Sequence, residues 1–249
     1  MLPTLLVGPL ALATYPLLFI GALWLGLALA ARRAGQLGLA GDHVYNAGFY
    51  GLIAGILGAR LWFVLAHWEN YAADLSQALS LSRSALAGGE GLTIAAVVIL
   101  VYALGQKLPL GQFFDALAPG LALAVIIISI GAFLGGEGLG KSATLPWAVV
   151  IGDIARHPIQ LYEAAAALLI LLILYRSRAW RPWPGFHFWL LVILYGTARL
   201  LLEVFRARPT LVGDGFLMVQ LLALAAIVVA LAVMAHQFRR DPAPLQTEK

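Results

Sequence analysis

Residues 115–134 read DALAPGLALAVIIISIGAFL, and after Asp115 the run carries no charge. A bilayer's hydrocarbon core is about 30 Å thick, so an α-helix needs about twenty apolar residues to cross it. This run has that length. It lacks the apolar–polar alternation of a barrel strand, so helix is the spanning structure it predicts. Working outward, six more runs meet the same test: 9–31, 45–66, 90–106, 160–176, 186–205 and 214–237. The sequence thus predicts an all-α, polytopic membrane protein. Seven transmembrane helices form one domain over 1–240, and a short polar tail follows over 241–249.

Composition points the same way. Of the 249 residues, 62% are hydrophobic and 11% charged, against about 45–50% and 25% in soluble domains. A mean hydropathy of +0.90 excludes disorder and an ordinary soluble domain. The chain has no cysteine, which excludes disulfides, thiolate metal sites and a cysteine nucleophile. A nucleophile must be an oxygen or nitrogen of the chain, or arrive with a substrate. The formal charge of +4 reads as Lys and Arg anchoring helices at anionic leaflets, not as a nucleic-acid surface. The first span has no basic segment before it, so it reads as a retained helix.

Loop cations set the expected orientation. With the N-terminus outside, nine cations lie inside: Arg32, Arg33, Lys107, Arg176, Arg178, Arg181, Arg239, Arg240 and Lys249. Five lie outside: Arg83, Lys141, Arg156, Arg206 and Arg208. The expectation is N-out with a cytoplasmic C-terminus. The longer connections, about 67–89 and 135–159, then face outside, and the working surface with them.

Charge inside the bilayer is costly and marks paired or functional groups. Tyr195, Arg199, Glu203 and Arg206 follow one another at steps of 4, 4 and 3. On a helix these fall on one face, which reads as the lining of a polar cavity. The bland alternative is a Glu203–Arg206 pair at the interface with Arg199 snorkelling. At the head of the fifth span, Pro158 suits a first helical turn, and Gln160 and Glu163 share a face. Glu163 is then an apt partner for Arg199. Arg60 follows Gly51, Gly55 and Gly58, glycines that read as close helix packing. Arg60 itself is either a buried phosphate ligand or a snorkelling residue.

Between Gly131 and Gly140 lies a glycine-rich stretch with one acid, Glu137. Gly135 to Ser142 also fits G-x-x-x-x-G-K-S. A nucleotide P-loop needs a preceding strand and a following helix, and here an apolar span precedes and Pro146 follows, so no nucleotide is expected. The stretch reads as a bend at a helix end, with free backbone N–H groups at Gly136 facing a lipid phosphate. The five histidines show no metal-ligand spacing, so neither metal nor cofactor is expected. G-x-S-x-G is absent, and the last span has no lysine for a retinal.

The string Arg156-His157-Pro158-Ile159-Gln160-Leu161-Tyr162-Glu163 closely resembles the R-H-P-x-Q-L-Y-E motif of the bacterial prolipoprotein diacylglyceryl transferase family. Tyr195-Gly196-x-x-Arg199-x-x-x-Glu203-x-Phe205-Arg206 is similar to that family's second block. Gln220, Gly8-Pro9 with Tyr15, Gly58-Ala59-Arg60-Leu61 and Asp115-Ala116-Leu117-Ala118-Pro119 resemble further elements, so the likeness runs over nearly the whole chain. The chain departs from the family at four positions. The signature G-R-x-G-N-F-x-N-G-E has Ser129 for its Arg, and Ala132 and Gly135 for its two Asn. Ala87 stands where the family has a His before Gly88-Gly89.

The resemblance implies transfer of a diacylglyceryl group from phosphatidylglycerol to the lipobox cysteine of a prolipoprotein signal-peptide helix, at the bacterial inner membrane. It implies a phosphate clamp of Arg60 and Arg199 oriented by Glu137 and Glu163. Tyr15 and Tyr195 would donate to substrate oxygens. Gly136, Gln160, Glu203 and Arg206 would line the lipid site. The thiol base is open, and His157 is the candidate near the site. The alternative reading is a catalytically silent homologue that binds lipid or a partner protein. Loss of the Arg and His favours it, and retention of Arg199, Glu163 and Glu203 opposes it. A transporter is a third reading, without the inverted repeat of many such folds.

Overall fold

The structure is a computed structural model, and it describes residues 3–7, 10–72, 88–151, 153–207, 211–212 and 216–240. Gly8-Pro9, Arg83, Ala87, Arg208 and the tail 241–249 lie outside the described residues.

Among the described residues, seven helices are long and apolar enough to cross a membrane. They are α1 (Thr14–Gln36), α2 (Asp42–Ala66), α4 (Gly88–Gly105), α5 (Leu110–Gly135), α6 (Ile159–Arg176), α7 (Phe186–Leu202) and α8 (Met218–Arg240). A one-turn helix, α3 (Trp68–Tyr71), follows α2. All seven expected spans are present, with shifted ends. The first starts at Thr14 and not at residue 9, because β1 (Thr4–Val7) and β2 (Leu10–Ala13) pair as a hairpin before it. It also runs on to Gln36, so Arg32 and Arg33 lie on the last turns of α1 and not in a loop.

Two further hairpins were not expected from the sequence. They are β3 (Val149–Ile151) with β4 (Ile154–Arg156), and β5 (Leu211–Val212) with β6 (Phe216–Leu217). If each helix crosses once, connections alternate between the two faces. The connections 37–41, 106–109 and 177–185 then share one face. The three hairpins share the other face with the long connections.

The packing follows membrane logic. Among the described residues, 14 of the 23 buried apolar side chains are alanine, while Trp24, Leu57, Leu61, Leu92, Leu201 and Leu222 are exposed to the surroundings. Lipid is as apolar as leucine, so helices associate through small residues that let backbones approach. A Cβ on Gly120 would sit 2.3 Å from the Gly26 carbonyl oxygen, which ties α5 to α1. One on Gly91 would sit 2.7 Å from the Gly55 oxygen, tying α4 to α2. Gly51 and Gly58 also face α4, so the glycines before Arg60 are packing residues, as expected. α5 is the hub, packed on α1, α6 and α7, and α7 carries α8.

Asp115, read as the start of a span, is instead well inside α5 and almost fully buried. Its Oδ2 accepts the Gly185 N–H at 2.8 Å and its Oδ1 the Phe188 N–H at 3.0 Å. It therefore caps the N-terminus of α7 from a neighbouring helix, satisfying two of the free N–H groups of that end.

Candidate active site

Four charged side chains meet where α6 begins and α7 ends. Arg199 Nη1 donates to Glu163 Oε1 across the helix pair. Its Nη2 donates to Glu203 Oε2 at 2.8 Å, one turn along the chain. Arg206 Nη2 donates to the same Glu163 Oε1, and its Nε lies 3.4 Å from Glu203 Oε2. Two arginines and two glutamates thus alternate around a closed ring. Its formal charge is zero, which is what makes burial tolerable, and each charge is also hydrogen-bonded. Glu203 is 2% exposed, Glu163 16% and the arginines about a fifth.

The expected Arg199–Glu163 pair is therefore present. The expected continuous stripe is not. α7 stops at Leu202, Glu203–Phe205 is a 3-10 turn, and Arg206 is extended. Arg206 joins the ring by folding back from an extended chain.

That chain is pinned by the glycine-rich segment. Lys141 N–H donates to the Phe205 carbonyl at 2.8 Å, and Ala207 N–H to Leu139 at 3.0 Å, an antiparallel bridge of Gly140 with Arg206. On its other side, His157 N–H donates to Lys141 at 3.0 Å and Ala143 N–H to Ala155 at 2.9 Å. A Cβ on Gly140 would fall 2.1 Å from the His157 carbonyl oxygen, so only glycine fits there. Three distant segments are stitched through one residue.

The expected phosphate nest is corrected by the same bonds. α5 ends at a left-handed Gly136, φ 76°, the conformation glycine adopts without penalty. But Gly136 N–H donates to Phe133 and Glu137 N–H to Ala132. These N–H groups close the helix end and are not free for a ligand. Gln160 is buried, and its side-chain amide donates to the Glu137 carbonyl. Helix α5 precedes the segment where a P-loop needs a strand, and a turn and the β3–β4 hairpin follow Lys141–Ser142 where it needs a helix, so the P-loop context is absent.

His157 stands beside the ring. Its imidazole packs 4.9 Å from the Phe205 ring, and Nδ1 lies 3.4 Å from the Tyr162 hydroxyl. That hydroxyl accepts the Trp147 Nε1–H at 2.8 Å. His157 also lines a cleft of about 600 Å³ with Ser142, Thr144, Leu145, Asp153 and Ile154. Tyr15 packs against Gly135 at the end of α5, where a Cβ would meet its own at 3.1 Å. Tyr195 lies one turn before Arg199, partly exposed, within electrostatic reach of all four ring members.

Arg60 is not brought to the ring by any described contact. It is buried near the end of α2, its guanidinium 5.2 Å from the Tyr71 ring centre and 6.0 Å from that of Phe63. The cation that shares carboxylates with Arg199 within the ring is Arg206.

Arg156 is a site residue that the sequence spacing does not mark. Its Nη1 donates to the Gly140 carbonyl at 3.2 Å, and its Nε is buried without a partner. No ion pair compensates it among the described residues. Its place beside a hydrophobic hairpin gave no periodic signal. Trp147 and Tyr162 were missed for a similar reason, since their link spans a connection with no fixed period. No group of three or more metal-type ligands occurs among the described residues.

Fold and site together define a multi-pass membrane protein with a largely buried, charge-balanced site at one end of its helix bundle. The sequence matches the prolipoprotein diacylglyceryl transferase family over residues 3–236. A phosphatidylglycerol–prolipoprotein diacylglyceryl transferase of Methylocella silvestris is 34% identical, covering 97% of this chain and 96% of that one. One of Pseudoalteromonas translucida is 32% identical over 94% and 91%. One of Clostridioides difficile is 25% identical over 90% and 89%. The chain belongs to the prolipoprotein diacylglyceryl transferase family.

Proposed function

We propose that the chain transfers a diacylglyceryl group from phosphatidylglycerol to the thiol of a lipobox cysteine in a prolipoprotein. The site is the face with the long connections, outside the inner membrane, with the N-terminus on that side. The observation that carries this reading is the ring of Arg199, Glu163, Arg206 and Glu203. Buried charges at a span end mark functional or paired groups, and two guanidiniums fixed side by side suit a phosphate.

The chemistry is a displacement. The substrate's sulfur forms a C–S bond to the glyceryl carbon that carries the phosphoester. The C–O bond to phosphate breaks, and glycerol phosphate leaves with the electron pair. Negative charge grows on the phosphate oxygens, where preorganised cations lower the barrier. Arg199 and Arg206 are fixed by the two carboxylates, and Arg156 adds a cation that no carboxylate offsets. The thiol proton goes to the His157 ring, within the cleft that admits the peptide. Tyr15 and Tyr195 supply hydroxyls to headgroup oxygens. No cofactor or metal takes part. The absence of cysteine fits a nucleophile that comes with the substrate.

Ser129 and Ala87 favour a second reading, a silent homologue that binds the lipid without turning it over. Complementation separates the two. The gene should rescue a strain depleted of its own transferase, and Arg199→Leu should remain inserted and fail to rescue. Lipid binding without rescue would establish the silent reading.

A further inference from the structure

The opposite face holds a second charged site. The last turn of α1, the start of α5, the 177–185 connection and the start of α7 meet there. Arg33 Nη2 donates to the Arg178 carbonyl at 3.4 Å, and Nη1 to Gln36 Oε1 at 3.0 Å. Arg178 and Arg181 are both close enough to Arg33 to act on it electrostatically. No carboxylate pairs with these three guanidiniums among the described residues. The one acid nearby, Asp115, has both oxygens committed to α7 N–H groups.

Beside them is a pocket of about 190 Å³ lined by Gln112, Asp115, Arg181, Pro182, Trp183 and Pro184. Trp183 is 4% exposed, and its Nε1–H has no hydrogen-bond partner. Buried donors are nearly always satisfied, and an indole nitrogen can only donate. The pocket therefore offers the Trp183 N–H and the Arg181 guanidinium, with the Asp115 carboxylate on its wall turned to the α7 N–H groups. Its depth is set by exposed Tyr175 and Trp180 at the end of α6, with Arg178 4.3 Å from the Tyr175 ring centre. Such aromatics sit at headgroup level.

We propose that the Arg33, Arg178 and Arg181 cluster, with the pocket beside it that Arg181 and Trp183 line, binds the phosphate of an anionic phospholipid in the leaflet opposite the active site, the Trp183 N–H serving as a further donor. Planar guanidiniums suit phosphate geometry. The bound lipid would tie α1 to the connection that positions α7, whose far end carries Arg199. This assignment does not depend on the reaction proposed above.

The test is native mass spectrometry in neutral detergent with added dioleoyl phosphatidate. An Arg199→Leu background weakens lipid capture at the catalytic ring. That background should retain phosphatidate and not dioleoyl phosphatidylcholine. Adding Arg178→Gln and Arg181→Gln should weaken retention by about 30-fold, since each basic residue near an anionic surface is worth about 1 kcal/mol, or five-fold. Both side chains are exposed, and size-exclusion chromatography checks that the fold survives. Trp183→Phe, which keeps the ring and removes the N–H, should weaken retention further. Equal retention by all variants overturns the proposal. So does capture of inorganic phosphate without any retention of phosphatidate, which would assign the pocket to a free anion.

Discussion

Glu163→Gln is the substitution that tests the ring most sharply. Glu163 Oε1 accepts from both Arg199 and Arg206, so one atom holds two cations from different parts of the chain. A hydrogen bond to a charged group is worth about 1.5–3 kcal/mol, and removing one partner of a buried pair costs about 3–5 kcal/mol. Glu163 is 16% exposed and the arginines about a fifth, so solvent screening lowers the cost to about 2–4 kcal/mol. Glutamine keeps the shape and one acceptor, but the ring becomes net positive and Arg206 is free to move. A displacement of about 1 Å at a reacting centre costs about a hundred-fold in rate. The assay is diacylglyceryl transfer to a fluorescent lipobox peptide in phosphatidylglycerol nanodiscs, with thermal unfolding read in parallel. The expected result is a loss near a hundred-fold and a lower Tm. Coupling to Arg206→Gln in a double-mutant cycle should exceed about 1 kcal/mol. Wild-type turnover with an unchanged Tm would refute the idea that the ring organises the site.

Gly140→Ala should abolish transfer and lower stability by about 1–3 kcal/mol or more through overpacking against the His157 carbonyl; Lys141→Ala, next to it, should change neither. Gly91→Leu should detach α4 from α2, seen as a lower Tm in detergent, while Leu92→Ala on the exposed face should not. Reporter fusions after Arg33 and Arg181 should report cytoplasm and a fusion at Lys141 the outside, and the reverse pattern would overturn the orientation.

The spans were legible because bilayer thickness imposes length and composition on every one of them, whatever their neighbours. The Arg199–Glu163 pair was legible because an intramembrane cation needs an anion and few are available. Helix ends were less so: the turn from α7 into an extended chain is fixed by backbone bonds to Leu139 and Lys141, over 60 residues earlier. Strands of two to four residues carry no period long enough to read. Arg60 stays open between the two readings the sequence offers, because a buried charge near a span end looks the same whether it serves a ligand or lies over an aromatic ring. The Gly136 amides misled because a glycine-rich bend can present N–H groups to a ligand or consume them in closing a helix, and composition does not distinguish the two.

The ring also bears on how the chain enters the membrane. Glu163 is on α6 and Arg199 on α7, joined by the connection 177–185. A lone charge reaching the bilayer centre during insertion costs about 2.5–3.5 kcal/mol. If α6 and α7 leave the translocon as one hairpin, carboxylate and guanidinium arrive already neutralised. A longer 177–185 linker would let α6 partition alone, and biogenesis would fail although the finished fold could accommodate the added residues.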